Sequence, residues 1–230
     1  MIVQAMPYPP PSGPPTPTVA ADFLMGVYFI NGVSKTLADL FEQNATWGAY
    51  SSSDVVASTG LQATRSTVGT TGSFPVLTAS AYAAVVPGGV NAGFTAVMEF
   101  YADWNFSGDL WIGCDMAMAD SSTGWSCFIA FDSGGNASLL YDYSFGVNDS
   151  LSATTGTHKV AFTLCSTHLA ASVDGGSVLT TAAPEANVGE LISPYVHAYI
   201  ATGTGPMTAV MKSITFYPTQ ADADLPALSA

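Results

Sequence analysis

Basic side chains are nearly missing from this sequence: Lys35, Arg65, Lys159 and Lys212 are the only ones among 230 residues. Against 17 carboxylates they leave a formal net charge of −13. Nucleic-acid binding is excluded on that ground, because neutralising phosphates and releasing their counterions takes several Lys or Arg side chains. An anionic membrane surface is disfavoured for the same reason. Glutamate is scarce as well, confined to Glu42, Glu99, Glu185 and Glu190. Charged residues total 9%, well under the usual ~25%, so the acidity comes from missing bases and not from abundant acids.

Long apolar runs are also lacking. The mean hydropathy is +0.33, yet Gly, Ser and Thr break every stretch before the ~18 apolar residues a membrane helix needs. The first residues hold no basic stretch leading into an apolar one, so an export signal is not expected. Cysteine is limited to Cys114, Cys127 and Cys165. With no C-x-x-C and no His at metal spacing, the three read as buried free thiols.

What the sequence does have is 48% apolar residues, enough for a sizeable core. Residues 7–18 carry Pro7, Pro9, Pro10, Pro11, Pro14, Pro15 and Pro17. Fixed φ angles and missing N–H groups make that segment an extended arm outside the core, which reads equally as a solvated linker or as a segment that docks on a partner. Phe23, Met25, Val27 and Phe29 share one parity, predicting a strand, and Asn31-Gly32 predicts a hairpin turn. Residues 36–43 predict a short helix, and Gln220 to Leu225 a single turn before Pro226. Between 44 and 80, small polar residues predict loops and edge strands around Trp47, Leu61, Phe74 and Leu77.

After Gly93 eight strand-like segments follow one another, from FTAVMEFYADW to TAVMKSITFYP, with turn residues between them. They imply an all-β, antiparallel β-sandwich or jelly roll. Val160, Phe162 and Leu164 are expected on one face and Ala161 and Thr163 on the other. The chain thus divides into a proline-rich arm (1–20), a lead-in with the first strands (21–92) and the main sandwich (93–230).

Three segments in order carry a resemblance. Thr157-His158-Lys159-Val160-Ala161-Phe162 with Leu169-Ala170-Ala171-Ser172-Val173-Asp174-Gly175 comes first, then Val196-His197-Ala198-Tyr199-Ile200-Ala201, then Met211 to Pro218 with the tail Gln220 to Leu228. Together they resemble the concanavalin A-like, or laminin-G-like, jelly rolls of phage virion proteins. Asp22 to Phe41 is similar to the lead-in of phage tail and fibre proteins carrying that sandwich. The resemblance implies a non-enzymatic virion component on the particle surface, a decoration or fibre protein. Its anchor to a capsid or tail protein would be Pro9, Pro10, Pro11, Pro14, Pro15, Phe23 and Phe29. A homo-oligomer is implied, a trimer by the symmetry common among fibres.

The alternative is a carbohydrate-binding module for host surface glycans. An indole offers a flat apolar face beside an N–H donor, which singles out Trp104 and Trp125 for stacking; Trp111, inside a strand, is expected in the core. Laminin-G-like relatives often hold calcium at the rim, and hard cations want oxygen ligands, so the resemblance implies Asp103, Asn105 and Asp109 as its ligands, with no other cofactor. Glycosidases of this fold carry their carboxylates on one strand as E-x-D-x-x-E or a close variant, absent here; the nearest cluster is Asp103, Asp109, Asp115 and Asp120. No G-x-S-x-G, nucleotide loop or Cys–His pair of recognised spacing occurs. His158, His168 and His197 fall on separate predicted strands and read as hydrogen-bonded structural histidines. The expectation is of a protein that is not an enzyme.

Overall fold

The computed structural model describes residues 15–42, 55–56, 60–65, 69–73, 76–87, 93–103, 107–117, 124–131, 136–141, 144–152, 155–165, 167–182, 191–202 and 207–230. The chain opens with β1 (Val19–Asp22), β2 (Val27–Ile30), β3 (Val33–Lys35), α1 (Leu37–Leu40) and β4 (Phe41–Glu42). There follow β5 (Val55–Val56), β6 (Gly60–Arg65), β7 (Gly69–Ser73), β8 (Val76–Leu77) and α2 (Ala79–Val85). The main body is β9 (Phe94–Ala102), β10 (Ser107–Ala117), β11 (Gly124–Phe131), β12 (Asn136–Tyr141), β13 (Ser144–Ser152), β14 (Gly156–Leu164), β15 (His168–Val173), β16 (Leu179–Ala182), β17 (Leu191–Thr202) and β18 (Met207–Tyr217). A 3-10 turn (Asp222–Asp224) and α3 (Leu225–Ser229) close it.

Two antiparallel sheets form the layers. One runs β16-β15-β14-β9-β18-β1-β2-β3, with β6 also on β18 and β5 on β6; the other runs β13-β12-β11-β10-β17-β7. Phe94, Ala96, Met98, Phe100 and Ala102 of β9 alternate into one apolar core with Val160, Phe162 and Leu164 of β14 and with Ile112 of the second sheet. Ile112 is fully buried, so the sheets pack face to face. The two layers and their antiparallel ladders make the architecture a concanavalin A-like jelly roll.

The parity expected for β14 holds. Ala161 lies on the opposite face, where Val97, Ala170 and Leu225 pack together, and Thr163 shares a 2.5 Å hydroxyl hydrogen bond with Thr95. The C-terminal segment therefore covers the back of the first sheet. The Gln220 N–H donates to Thr95 Oγ1 (2.8 Å), Ser229 Oγ donates to Ser172 Oγ (3.0 Å), and Lys159 Nζ donates to the Ala230 carbonyl (3.1 Å). The turn expected before Pro226 is a 3-10 turn running into a helix that includes that proline in its first turn, where its missing N–H costs nothing.

A bulge organises β18. Its register with β9 steps from Met211 opposite Phe100 to Ser213 opposite Glu99, leaving Lys212 as the extra residue. One extra residue reverses side-chain parity, so Ala209 and Met211 face the core before it and Ile214 and Phe216 after it. At the same point the neighbour on the other edge changes from β6 to β1. The Phe23 N–H donates to the Lys212 carbonyl (2.9 Å).

The expected single strand through Phe23 and Phe29 is two strands. Asp22 Oδ1 accepts the Met25 N–H (2.8 Å) and Gly26 takes φ +65°, which turns the chain between β1 and β2. The Asn31-Gly32 hairpin forms as expected, with both residues at positive φ. The helix expected over 36–43 is one turn, capped by Thr36 and Asp39. It ends because Phe41 is extended and pairs with Leu77. The edge strands expected between 44 and 80 include β7, at the end of the six-stranded sheet, but before residue 80 the chain enters α2, started by Thr78, whose hydroxyl accepts the Ala81 N–H. Among the described residues no helix is long and apolar enough to cross a membrane.

Candidate functional site

Ile112, fully buried in the inter-sheet core, anchors β10 of the second sheet, which pairs with β11 on one side and β17 on the other. On the neighbouring strand the register places Tyr199 beside Asp109, His197 beside Trp111 and Tyr195 beside Gly113. On the other side stand Ala130 beside Trp111, Phe128 beside Gly113 and Ser126 beside Asp115. Thr70 and Gly72 of β7 extend the row past Tyr199 and His197. Directly opposed positions lie about 4.5–5.5 Å apart. The register thus gathers four aromatic positions, one histidine and two carboxylates on neighbouring rows of β10, β11 and β17.

Trp111, expected in the core, lies on β10 between Ala130 of β11 and His197 of β17. Trp125 lies on β11 opposite Met116. Asp109 lies on β10 opposite Tyr199, and Asp103 just past β9, where its N–H donates to the Thr208 carbonyl (3.0 Å). Trp104, Asn105, Pro9, Pro10, Pro11 and Pro14 lie outside the described residues, as do Trp47 and Phe74. Among the described residues no three His, Cys, Asp or Glu side chains cluster as metal ligands. Pro15 is half-buried. Phe23, expected on a docking surface, is fully buried against the Tyr28 and Phe41 rings, because the Asp22–Gly26 turn folds it inward. Phe29 is half-buried on β2, opposite Ala20 and Ser34.

The three histidines have separate surroundings. His158 is buried, with its Nδ1 2.6 Å from Asp174 Oδ2 and its ring 5.7 Å from that of Phe100. Asp174 Oδ1 accepts the Lys159 N–H (2.9 Å), so this pair ties the chain just past β15 to the start of β14. His197 lies on β17 opposite Trp111. His168 sits at the other end of the hairpin, with Nε2 2.8 Å from Asp222 Oδ1 and Nδ1 3.3 Å from Cys165 Sγ. Here the sequence reading is corrected twice: Cys165 is half-exposed and not buried, and a Cys–His pair exists. Its spacing is only C-x-x-H across a hairpin, and Asp222 arrives from 54 residues further on.

The hydrogen bond to Asp222 raises the His168 pKa above 6.5, against burial, with the Cys165 charge adding to the rise. A group whose folded pKa is raised stabilises fully below its unfolded value and loses that contribution as pH climbs through the folded one. Thermal midpoints measured from below pH 6.5 upward should therefore fall as His168 deprotonates, and His168→Gln should flatten that fall.

No protein-family model matches the chain, and no curated protein matches it. Among solved structures it is similar to Trypanosoma rangeli sialidase in complex with sialic acid, with a TM-score of 0.52 and 12% identity over 91% of this chain and 32% of that one. It is also similar to a native glycosidic hydrolase (TM-score 0.46, 12% identity, 56% of this chain and 67% of that one). A third is a prokaryotic β-1,3-1,4-glucanase, a lichenase from a mouse hindgut metagenome (TM-score 0.41, 15% identity, 56% and 67%). The chain spans about a third of the sialidase's length. The sialidase corrects the expectation that the chain is not an enzyme: the missing E-x-D-x-x-E run was its warrant, and the fold is one that a sialidase also contains. At such identities the likeness extends to the fold alone, which is the concanavalin A-like β-sandwich.

Proposed function

We propose that this chain recognises carbohydrate on the six-stranded sheet, with Trp111 as the central stacking position. The observation that carries the reading is the register of β10 and β17, which sets Trp111 opposite His197, Asp109 opposite Tyr199 and Gly113 opposite Tyr195. A sugar offers one apolar C–H face and a rim of hydroxyls, and aromatic positions interleaved with polar ones match both. Retaining hydrolysis would further need two carboxylates about 5–5.5 Å apart. Asp109 and Asp115 are six residues apart on one strand, about 20 Å, so a hydrolytic reading draws its second carboxylate from elsewhere in the chain.

A glycan array probed with the full chain, followed by titration of the best ligand, tests this. Trp111→Ala should weaken binding at least about tenfold, equivalent to ~1.4 kcal/mol, with the unfolding midpoint unchanged. Silence across the array, or unaltered affinity in the variant, would overturn the proposal; reducing ends released from the bound glycan would add hydrolysis to it. The virion-surface reading, with its anchoring and trimer, rests on the sequence resemblance, and the structural neighbours do not bear on it.

A further inference from the structure

We propose that Cys165, His168 and Asp222 form a second chemical site, a nucleophilic thiol that accepts an acyl group from a carboxylic ester. Three groups from two distant parts of the chain are arranged in series. The carboxylate of Asp222 holds His168 Nε2 (2.8 Å), which leaves Nδ1 directed at the sulfur, 3.3 Å away. The Thr167 hydroxyl bridges the pair, 2.9 Å from Nδ1 and 3.2 Å from Sγ. The site is open, with the His168 and Asp222 side chains 29% and 37% exposed.

Its electrostatics agree with the geometry. Burial pushes the Cys165 thiol up, but hydrogen bonds from the Thr167 hydroxyl and from the backbone at Thr167 and His168, with the His168 ring, outweigh it and leave the pKa lowered. The backbone is held rigidly there. Gly93, at φ +69°, lies so close that a Cβ would come within 2.3 Å of the Leu164 carbonyl and 2.9 Å of the Cys165 Cα.

The polarity of the relay selects acyl transfer. A thiolate alone suffices for disulfide exchange or alkylation, whereas an alkoxide leaving group must be protonated as it departs. The Cys165 thiolate attacks the ester carbonyl carbon, forming the C–S bond and an oxyanion. Collapse breaks the C–O bond, and the alkoxide takes the proton on His168 Nδ1. Water then attacks the thioester while Nδ1 accepts its proton; the C–S bond breaks, releasing the carboxylic acid and restoring the thiolate and imidazolium. Asp222 is a positioning residue in this scheme, fixing the ring and favouring its charged form.

The probe is p-nitrophenyl acetate on the full chain, with nitrophenolate followed by absorbance. Cleavage after Lys159 and Lys212 separates Cys165 from Cys114 and Cys127, so mass spectrometry locates the acetyl group. The expected result is an initial burst matching the protein concentration, acetyl on the Cys165 peptide, and an acylation rate that rises with pH below the ordinary thiol range. Nitrophenolate leaves without a proton, so His168→Gln should slow acylation by this probe only through the lost thiolate, whereas with ethyl acetate, whose alkoxide must be protonated, it should slow acylation about a hundredfold; Asp222→Asn should slow both less while shifting the pH profile. No acetyl on Cys165, or labelling as slow as in the urea-unfolded chain, overturns the proposal. Should His168→Gln fail to fold, an unchanged pH profile in Asp222→Asn overturns it equally. Glycan binding is untouched by either outcome, because Trp111 lies on the other sheet.

Discussion

Phe94→Ala should destabilise the sandwich by about 3–5 kcal/mol. Phe94 opens β9, the strand between β14 and β18 in the first sheet, and is 1% exposed. Its ring meets the edges of Phe162 and Phe216, with centroids at 6.2 and 5.7 Å. Removing it leaves a void between three strands whose ladders hold the backbone in place, so the site cannot collapse to fill it. Since total stabilities are only about 5–15 kcal/mol, this single change should consume a large share. Urea denaturation should show a lowered midpoint with an unchanged slope. A loss below about 1 kcal/mol would mean that the three rings are not packed as described.

Leu225→Ala should cost about 2–4 kcal/mol, yet the loss should be local. Leu225 is fully buried against Val97, Ala161 and Ala170 on the back of the first sheet. That face contributes nothing to the inter-sheet core, so the sandwich should persist while the tail from Gln220 onward opens. Hydrogen exchange should accelerate at the Gln220 and Gly175 amides, which donate to Thr95 and Ser229, and stay slow along β9 and β14. Asp222 leaves His168 in the same event, so the Cys165 thiol should lose reactivity without any change in its own hairpin. Uniform acceleration across the chain would instead make the tail an inseparable part of the global unit.

Much of the fold was legible because strand patterns are local. All eight segments read after Gly93 are strands, and the parity of Val160, Phe162 and Leu164 is right, since one face of β14 meets the core directly. β13, with the sequence SFGVNDSLS, and β16, with only LTTA, carry no such pattern; hydrogen bonding to β12 and β15 makes them strands. α2 could have been found, since Thr78 precedes Ala81, Ala84 and Val85 at helical spacing, but its small residues read as loop. The Lys212 bulge has no local mark. TAVMKSITFY alternates acceptably throughout, and only simultaneous pairing with β6, β9 and β1 shows that one residue must be left over.

The candidate sites were much less legible. Which residues stand side by side across strands depends on register, which sets Trp111 opposite His197 and Trp125 opposite Met116. The sequence by itself determined what is decided by composition and short-range periodicity: an antiparallel β-sandwich, the Asn31-Gly32 hairpin and the strands after Gly93. Tertiary structure alone decided that Trp111 stands beside His197, that Phe23 is core, and that Cys165, His168 and Asp222 meet. Periodicity reaches only a few residues along the chain, whereas these outcomes depend on long-range registers and on a C-terminal tail folding back over the first sheet.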